Sequence, residues 1–217
     1  TLNSEVLNAQ LQKYLVTNHA NYQDANTNNL QVIRVGDDQD WSTNVLIALN
    51  RISEKKIFVI LEDIFISSQI DQQDFEQLIE FSIQNDVQHV KYMGYPAPSL
   101  PFDELLGKYE AGMPYLVSVC GIWDRLYLQR LLLEGENPWE FEVNASYRAQ
   151  FSAKRFYGCK KPLFEYKNMV EKGGWIPASL NWAIENGVPI KVDKRSRNKR
   201  TLYHFKRLIF RLSMSLP

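Results

Sequence analysis

The sequence predicts an α/β domain whose mostly parallel sheet is flanked by helices, and three observations support that fold class. Short apolar segments alternate along the chain with segments of helical periodicity, as in βαβ units. Residues 57–61 form a continuous β-branched and aromatic run, typical of a strand buried on both faces of a parallel sheet. The 217 residues are 45% hydrophobic and 23% charged, an ordinary globular composition in a chain long enough to bury a sizeable core.

The first half of the chain is predicted to supply most of the sheet. The expected strands are residues 14–16, 31–35, 57–61 and 87–93. A short helix is expected over residues 4–11 and a polar loop over residues 18–29. Asp40 and Asp71 each precede apolar residues at helical spacing, so each is predicted to be the N-cap of a helix.

The second half is predicted to be richer in helices and loops. The expected elements are a proline-rich loop over residues 94–102, a strand over residues 115–120 that Gly121 ends, and helices over residues 123–133, from residue 137 onward and over residues 180–186. Pro138 suits the first helical position, where its missing N–H costs nothing. Beyond Tyr157 the aromatic sequence is interpreted as loop, up to the last of these helices.

Charge divides the chain into a domain and a tail. The net charge is zero, yet residues 191–217 hold nine Lys or Arg and one acid, Asp193. Apolar residues recur there every three or four positions between residues 202 and 212, which predicts a basic amphipathic helix. Such a helix suits an anionic membrane surface, or else packs on the domain or on a partner. We therefore expect a domain over residues 1–190 and a basic tail over residues 191–217.

Several classes of protein lose support from what the sequence lacks. Cys120 and Cys159 form no C-x-x-C pair, and a reducing cytoplasmic setting is the simplest interpretation. No run of about 18 apolar residues predicts a transmembrane helix. The phosphate-binding lysine motif, G-x-G-x-x-G and G-x-S-x-G are absent, which argues against kinases, dehydrogenases and α/β-hydrolases. The three histidines belong to no recognisable catalytic triad.

An acidic pair, Glu62 and Asp63, follows directly on the apolar run of residues 57–61. Ligands of open α/β sheets bind at the carboxyl ends of strands. Carboxylates there can hold Mg²⁺ or Mn²⁺, which in turn binds a diphosphate. The alternative is that one of the two acids caps the next element.

A second acidic pair, Glu140 and Glu142, lies beside Trp139. A carboxylate in a partly closed apolar site can act as a general base toward a sugar hydroxyl. Trp139 offers a flat apolar face on which a sugar can stack. The alternative is a helix N-terminus at which acids favour the macrodipole.

Two other places end predicted strands. Gly121 lets the backbone approach a ligand closely, and Trp123 can line an acceptor pocket, although ordinary packing also explains Trp123. Asp38 follows the strand over residues 31–35, where a carboxylate can accept hydrogen bonds from ribose hydroxyls. An acidic turn is the alternative explanation for Asp37 and Asp38.

Three segments in this order resemble a known family. They are WSTNVLIALNRI with IFVILEDIFI, then YLVSVCGIWDRLYLQRLL, then GENPWEFE. Together they resemble a group of bacterial GT-A glycosyltransferases of cell-surface polysaccharide biosynthesis, over about half the chain. The resemblance implies a GT-A-like, Rossmann-like fold for residues 1–190. GT-A domains normally open with a strand, whereas this chain starts almost at the predicted first helix.

The resemblance also implies roles for the residues named above. Glu62 and Asp63 occupy the place of the acidic motif that binds metal and nucleotide diphosphate, although the motif here is Glu-Asp and not Asp-x-Asp. Gly121, Trp123 and Trp139 occupy places that line the sugars, and Glu140 or Glu142 takes the place of the base of inverting members. Asp38 is placed on the donor side.

The leading hypothesis is therefore an inverting, nucleotide-sugar-dependent glycosyltransferase. Its donor is a nucleotide sugar, its acceptor is a glycan or lipid-linked glycan, and its cofactor is a divalent metal, Mg²⁺ or Mn²⁺. The alternative is a non-catalytic module that binds a glycan or a nucleotide. A nucleic-acid partner is not expected, because the chain outside the basic tail is acidic.

Overall fold

A computed structural model describes residues 11–20, 29–93, 95–171 and 173–190. The helices are α1 (Trp41–Leu49), α2 (Gln72–Gln84), α3 (Arg125–Leu131), α4 (Pro138–Ala149) and α5 (Pro177–Glu185). The strands are β1 (Lys13–Thr17), β2 (Leu30–Arg34), β3 (Lys56–Val59), β4 (Ile64–Ile66), β5 (His89–Lys91), β6 (Leu100–Pro101), β7 (Leu106–Lys108), β8 (Gly121–Asp124), β9 (Phe156–Cys159), β10 (Tyr166–Asn168), β11 (Val170–Glu171) and β12 (Gly174–Trp175). The chain divides into two compact units, of which the smaller contains residues 62–67 and the described residues from 166 onward.

The larger unit is built on a six-stranded sheet in the order β3-β8-β5-β9-β7-β6. Within this sheet only the pair of β5 and β9 is parallel, and the other neighbours are antiparallel. The strands β1 and β2 pair with each other in parallel as a separate two-stranded sheet. The unit is therefore mixed α/β with a mostly antiparallel main sheet.

The prediction of a mostly parallel, Rossmann-like sheet of the GT-A type is wrong. The strands β3 and β5 do run in the same direction, as alternation with helices predicts, but they are not neighbours. A later strand, β8, lies between them and is antiparallel to both, with Ile122 opposite Phe58 and Val90. Periodicity predicts the type and direction of an element. The order of strands also depends on whether a later segment pairs between two earlier strands.

The apolar run that suggested a central strand also has a different position. The strand β3 lies at the edge of the six-stranded sheet and pairs on one side only. All four of its residues are partly exposed. The prediction that this strand is buried on both faces of a parallel sheet is therefore wrong.

Side chains on the two faces of the main sheet pack against different helices. On one face Phe58 meets Phe75 of α2, with ring centroids 5.5 Å apart. On the other face Trp123 and Phe156 pack with each other, and Phe141 of α4 lies 6.4 Å from Trp123. The residues Trp123, Phe141 and Phe156 are fully buried, so this second face forms the centre of the core and the base of the site described below.

Local sequence signals explain where the helices begin. The carboxylates of Asp40 and Asp71 accept hydrogen bonds from backbone N–H groups three residues further on, which confirms both predicted N-caps. Pro138 is the first residue of α4 and Asn137 caps it, as predicted. The helix expected from residue 123 begins instead at Arg125, because Trp123 and Asp124 belong to β8 and Asp124 is the N-cap.

Two predictions in the second half of the chain are wrong. Residues 115–120 form no strand: Tyr115 has a positive φ of 53°, and the following backbone donors bind side chains. The region after Tyr157 is not simply loop, because β9 reaches Cys159 and three short strands follow. The predicted helix over residues 4–11 lies, except for Leu11, outside the described residues, as do most of the loop over residues 18–29 and the whole basic tail.

The smaller unit consists of short strand pairs and one helix. The strand β4 pairs antiparallel with β10, and β11 pairs with β12. The helix α5 begins at Pro177 in its first position and ends at Glu185. Its buried Leu180 and Ala183 form a small apolar core with Met169 and Trp175.

Candidate functional site

The centre of the candidate site is the segment of residues 115–120, which precedes β8 in the larger unit. Four of its residues, Leu116, Val117, Val119 and Cys120, are buried although the segment has no regular structure. A buried backbone N–H without a partner costs free energy comparable to a lost hydrogen bond. Side chains of α4 and β5 supply those partners, and the arrangement fixes several polar groups close together.

Glu142, on the second turn of α4, is the main partner of this segment. Its Oε1 accepts hydrogen bonds from the backbone N–H of Val119 at 2.9 Å and from Ser118 Oγ at 3.1 Å. One turn further on, Ser146 Oγ accepts from the backbone N–H of Val117 at 3.0 Å and donates to the carbonyl of Glu142 at 2.6 Å. Glu142 is thus a half-buried carboxylate that is held in one orientation through one of its two oxygens.

His89, in β5, binds the same segment from the sheet side. Its Nδ1 donates to the carbonyl of Ile122 at 3.0 Å, and its Nε2 accepts from the backbone N–H of Ser118 at 3.3 Å. The ring stacks on Trp123 with centroids 3.6 Å apart. Burial lowers the pKa of His89 well below its ordinary value, so the imidazole is neutral, as its two hydrogen bonds require.

Lys91, two residues along β5 on the same face, is buried beneath this segment. Its ammonium donates to the carbonyl of Tyr115 at 2.7 Å and lies 5.2 Å from the centroid of the Tyr109 ring. Burial lowers the pKa of the Lys91 amine to about 8, while the charge of Glu142 acts in the opposite direction. A positive charge and a carboxylate therefore interact in a largely desolvated region.

Tyr115, the first residue of the segment, interacts electrostatically with Glu142 and with two other tyrosines, Tyr95 and Tyr147. Burial raises the pKa of the Tyr115 hydroxyl, and the charges of Tyr95, Glu142 and Tyr147 raise it further. The rings of Tyr95 and Tyr147 are 81% and 69% exposed, so both present aromatic surface to solvent. The neighbourhood combines a fixed carboxylate, a buried amine and solvent-facing rings.

The other acid of the predicted pair has a structural role. The side chain of Glu140 accepts from the backbone N–H of Asn137 at 3.0 Å, and Asn137 Oδ1 accepts from the backbone N–H of Glu140 at 3.0 Å. These reciprocal bonds form a capping box at the start of α4. The alternative that acids here serve a helix N-terminus thus describes Glu140, whereas Glu142 contacts the 115–120 segment.

The predicted aromatic residues differ in exposure. The ring of Trp139 is 63% exposed, and it lies on α4 two turns before Tyr147. Trp123 is fully buried, and its Nε1 donates to the carbonyl of Val119 at 3.1 Å. Trp139 is therefore available to stack on a ligand, while Trp123 supports the 115–120 segment from behind.

Gly121 allows a close approach between two strands. A Cβ at this position would lie 2.3 Å from the carbonyl oxygen of Val90 and 2.8 Å from Cε1 of His89. The glycine is thus required by the packing of β8 on β5. The sequence suggested that a ligand approaches Gly121 closely. In the structure the groups close to Gly121 are the backbone carbonyl of Val90 and the imidazole of His89.

Glu62 and Asp63 belong to the smaller unit and form a turn before β4. Glu62 is exposed and Asp63 is partly buried, and the carbonyl of Asp63 accepts from the backbone N–H of Met169 at 2.8 Å. The element that follows them is the strand β4, and neither residue is the N-cap of one of the described helices. The described ranges contain no group of three or more His, Cys, Asp or Glu side chains that could hold a metal ion.

Asp38 is exposed at the start of α1, in the larger unit. Its Oδ1 accepts a hydrogen bond from Asn44 Nδ2 at 2.7 Å. The neighbouring Asp37 pairs with His19 at 2.9 Å, also at the surface. Both carboxylates are accessible to a ligand. In the described part of the chain, neither is hydrogen-bonded to the 115–120 segment.

A pocket of about 340 Å³ lies elsewhere on the larger unit, between α2 and residues 103–106. Its polar lining includes Asp103, whose Oδ1 already accepts hydrogen bonds from the backbone N–H groups of Leu105 and Leu106. The residues predicted to carry chemistry do not line it. We therefore base the functional argument on the hydrogen-bonded groups around Glu142.

Sequence reasoning missed His89 and Lys91 as parts of this site, whereas Ser118 opens the segment of residues 118–123 that the resemblance places beside the sugars. A signal was present: His89 and Lys91 alternate with apolar residues in a strand that is buried on both faces, where polar side chains require specific partners. Cys120 is buried, as is usual for a free cysteine that acts as a small hydrophobic residue.

Comparison of the chain with models of protein families, with curated proteins and with solved structures gave no significant match. In the described residues, no helix combines the length and the apolar character needed to cross a membrane.

Proposed function

We propose that this chain is a nucleotide-sugar-dependent glycosyltransferase of the inverting type, with Glu142 as its general base. In the reaction a hydroxyl oxygen of a glycan or lipid-linked glycan attacks the anomeric carbon of the donor. The bond from that carbon to the diphosphate breaks, and Glu142 takes the hydroxyl proton. The configuration at the anomeric carbon is thereby inverted.

The observation that carries the proposal is the way in which Glu142 is held. Both of its side-chain hydrogen bonds, from Ser118 and Val119, end on Oε1. Within the described part of the chain Oε2 accepts no recorded hydrogen bond, so it is available to take a proton. A base that is fixed before the substrate arrives loses little freedom in the reaction, which is how positioned groups contribute to rate.

The exposed rings near Glu142 support a sugar as the acceptor. Trp139 and Tyr147 lie on the same helix as Glu142, and Tyr95 interacts electrostatically with Tyr115, as Glu142 also does. Aromatic rings present flat apolar faces with polar edges, and a pyranose has the complementary apolar face. We assign the acceptor to this surface and retain Trp139 as its first contact.

The donor side is a separate part of the proposal. Glu62 and Asp63 are assigned to a divalent metal, Mg²⁺ or Mn²⁺, that binds the diphosphate, and Asp38 to the donor nucleotide. The support is the chemistry of two adjacent carboxylates in an accessible turn, together with the sequence resemblance.

The proposal is tested by comparing Glu142→Gln with Glu140→Gln in a transfer assay over a panel of nucleotide sugars and glycan acceptors. Gln at position 142 keeps an oxygen that accepts from Ser118 and Val119 but cannot take a proton. We expect kcat to fall by about 10²–10⁴-fold with donor KM little changed. Gln at position 140 still completes the capping box, so this matched control is expected to turn over like the wild type.

Several outcomes would contradict the proposal. Normal turnover by Glu142→Gln would remove Glu142 as the base, and a product that retains the donor's anomeric configuration would exclude the inverting mechanism. A wild-type chain that binds glycan or nucleotide but transfers no sugar would instead favour the non-catalytic binding module, for which the exposed Trp139 and Tyr147 rings also provide a surface.

A further inference from the structure

His89 is a fully buried histidine that is connected to the candidate base through Ser118. We propose that His89 is a positioning residue, which orients the 115–120 segment so that Ser118 and Val119 hold the Glu142 carboxylate in place. The inference rests on the proposed role of Glu142 as a base. Its geometric part, however, concerns the segment itself and is testable without a substrate.

The first step is that hydrogen bonding fixes the tautomer of the imidazole. The carbonyl of Ile122 is an acceptor only, so His89 Nδ1 carries the proton that it donates at 3.0 Å. A neutral ring with a proton on Nδ1 has an acceptor at Nε2. The backbone N–H of Ser118 donates to Nε2 at 3.3 Å. The hydrogen bond of Nδ1 to the sheet thus makes Nε2 the acceptor for Ser118.

The second step is that the ring itself cannot turn. It stacks on Trp123 at 3.6 Å with 17° between the planes, and the Phe156 ring contacts it at 5.4 Å in an edge-to-face arrangement. The missing Cβ of Gly121 leaves the space that His89 Cε1 occupies. The imidazole is therefore held in one orientation by packing as well as by hydrogen bonds.

The third step joins this pair of rings to the carboxylate. His89 accepts from the backbone N–H of Ser118, and Trp123 donates to the carbonyl of Val119 at 3.1 Å. The same two segment residues then donate to Glu142 Oε1, through the Ser118 hydroxyl and the Val119 N–H. The inner side of the segment is thus bound to the rings and its outer side to the carboxylate.

A merely structural histidine would also be buried and hydrogen-bonded, so the test must separate the two roles. Two substitutions of similar character do this. In His89→Gln the amide oxygen reaches toward the position of Nε2 and can still accept from Ser118. In His89→Asn the amide nitrogen takes the position of Nδ1 and can donate to Ile122, but no acceptor reaches Ser118. Both variants lose the ring stack on Trp123.

We expect His89→Asn to lose about tenfold to 100-fold in kcat, with KM for donor and acceptor little changed, because a small misplacement of a catalytic group reduces rate far more than binding. His89→Gln is expected to recover most of that loss, while both variants unfold at similar denaturant concentrations. In a Glu142→Gln background, His89→Asn should cause no further fall in kcat, since it acts through the carboxylate. Equal losses in kcat for Asn and Gln, or additive losses with Glu142→Gln, would overturn the inference.

A second measurement keeps the inference independent of the proposed function. Amide hydrogen exchange at Ser118 and Val119 should be faster in His89→Asn than in His89→Gln and in the wild type, without any substrate. If that pattern is found and the wild type transfers no sugar, the proposed function fails and the positioning of the segment stands. If exchange at these two amides is the same in all three proteins, the positioning role is overturned even when the enzyme is active.

Discussion

Replacing Gly121 by alanine tests the packing on which the site is built. The added Cβ would lie 2.3 Å from the carbonyl oxygen of Val90, where ordinary contact needs at least 3.4 Å. Val90 belongs to the neighbouring strand β5, so β5 and β8 must separate locally by about 1 Å. Overpacking of a well-packed core typically costs about 1–3 kcal/mol. Because the obstacle is backbone and not a movable side chain, we expect a loss of about 3 kcal/mol in the free energy of unfolding.

The assay is equilibrium unfolding in urea, with Gly36→Ala as the matched control. Gly36 has a positive φ of 89°, and a Cβ there would meet nothing within 4 Å. The control therefore reports backbone strain alone, which we expect to cost about 1 kcal/mol. The slope of the unfolding free energy against denaturant should not change in either variant. If Gly121→Ala is no more destabilising than Gly36→Ala, the close approach of β8 to β5 does not lower the free energy of unfolding of the variant.

Three further predictions concern the sugar surface, the metal and acid stability. Trp139→Ala should raise acceptor KM about threefold to tenfold and leave donor KM unchanged. Phe151→Ala, at another exposed aromatic residue, should change neither KM. Equal changes in acceptor KM for the two variants would remove Trp139 as a contact. In thermal unfolding, Mn²⁺ with a nucleoside diphosphate at 100 times its dissociation constant should stabilise the wild type by about 2.7 kcal/mol and should not stabilise Asp63→Ala. The same stabilisation in the variant would exclude a metal at Asp63. Because burial lowers the pKa of His89, the unfolded chain binds a proton below about pH 6.5 that the folded chain does not, so stability falls as the pH falls. Between pH 7 and pH 5.5 the wild type should lose about 1 kcal/mol more than His89→Gln, and parallel losses would show that His89 is not the group responsible.

The sequence predicted the local elements of the fold better than their arrangement. Asp40, Asp71 and Pro138 mark helix starts through side-chain or ring chemistry that acts within three residues, and all three predictions are confirmed. The place of β8 between β3 and β5 depends on residues far apart in the chain, and no periodicity encodes it. The prediction of a parallel sheet is wrong for that reason.

For the candidate site, residue type predicted part of the chemistry but not the assignment of roles. Glu140 and Glu142 were both candidate bases, yet one completes a capping box and the other binds the 115–120 segment. The spacing Asn137-x-x-Glu140 is the sequence signal that separates them. The 115–120 segment alternates like a strand because its apolar side chains are buried, while its backbone donors bind side chains of other elements. Such partners are specified by tertiary structure, so His89 entered the site only once the fold was known.

The insertion of β8 between two earlier strands has a consequence for synthesis on the ribosome. When residues up to 110 have left the exit tunnel, β3 and β5 are present but the strand that joins them is not. The partner of β5 on its other side, β9, is made later still. The centre of this sheet is therefore complete only after residue 159 has emerged, and until then the nascent chain exposes an unpaired strand edge of the kind that chaperones bind.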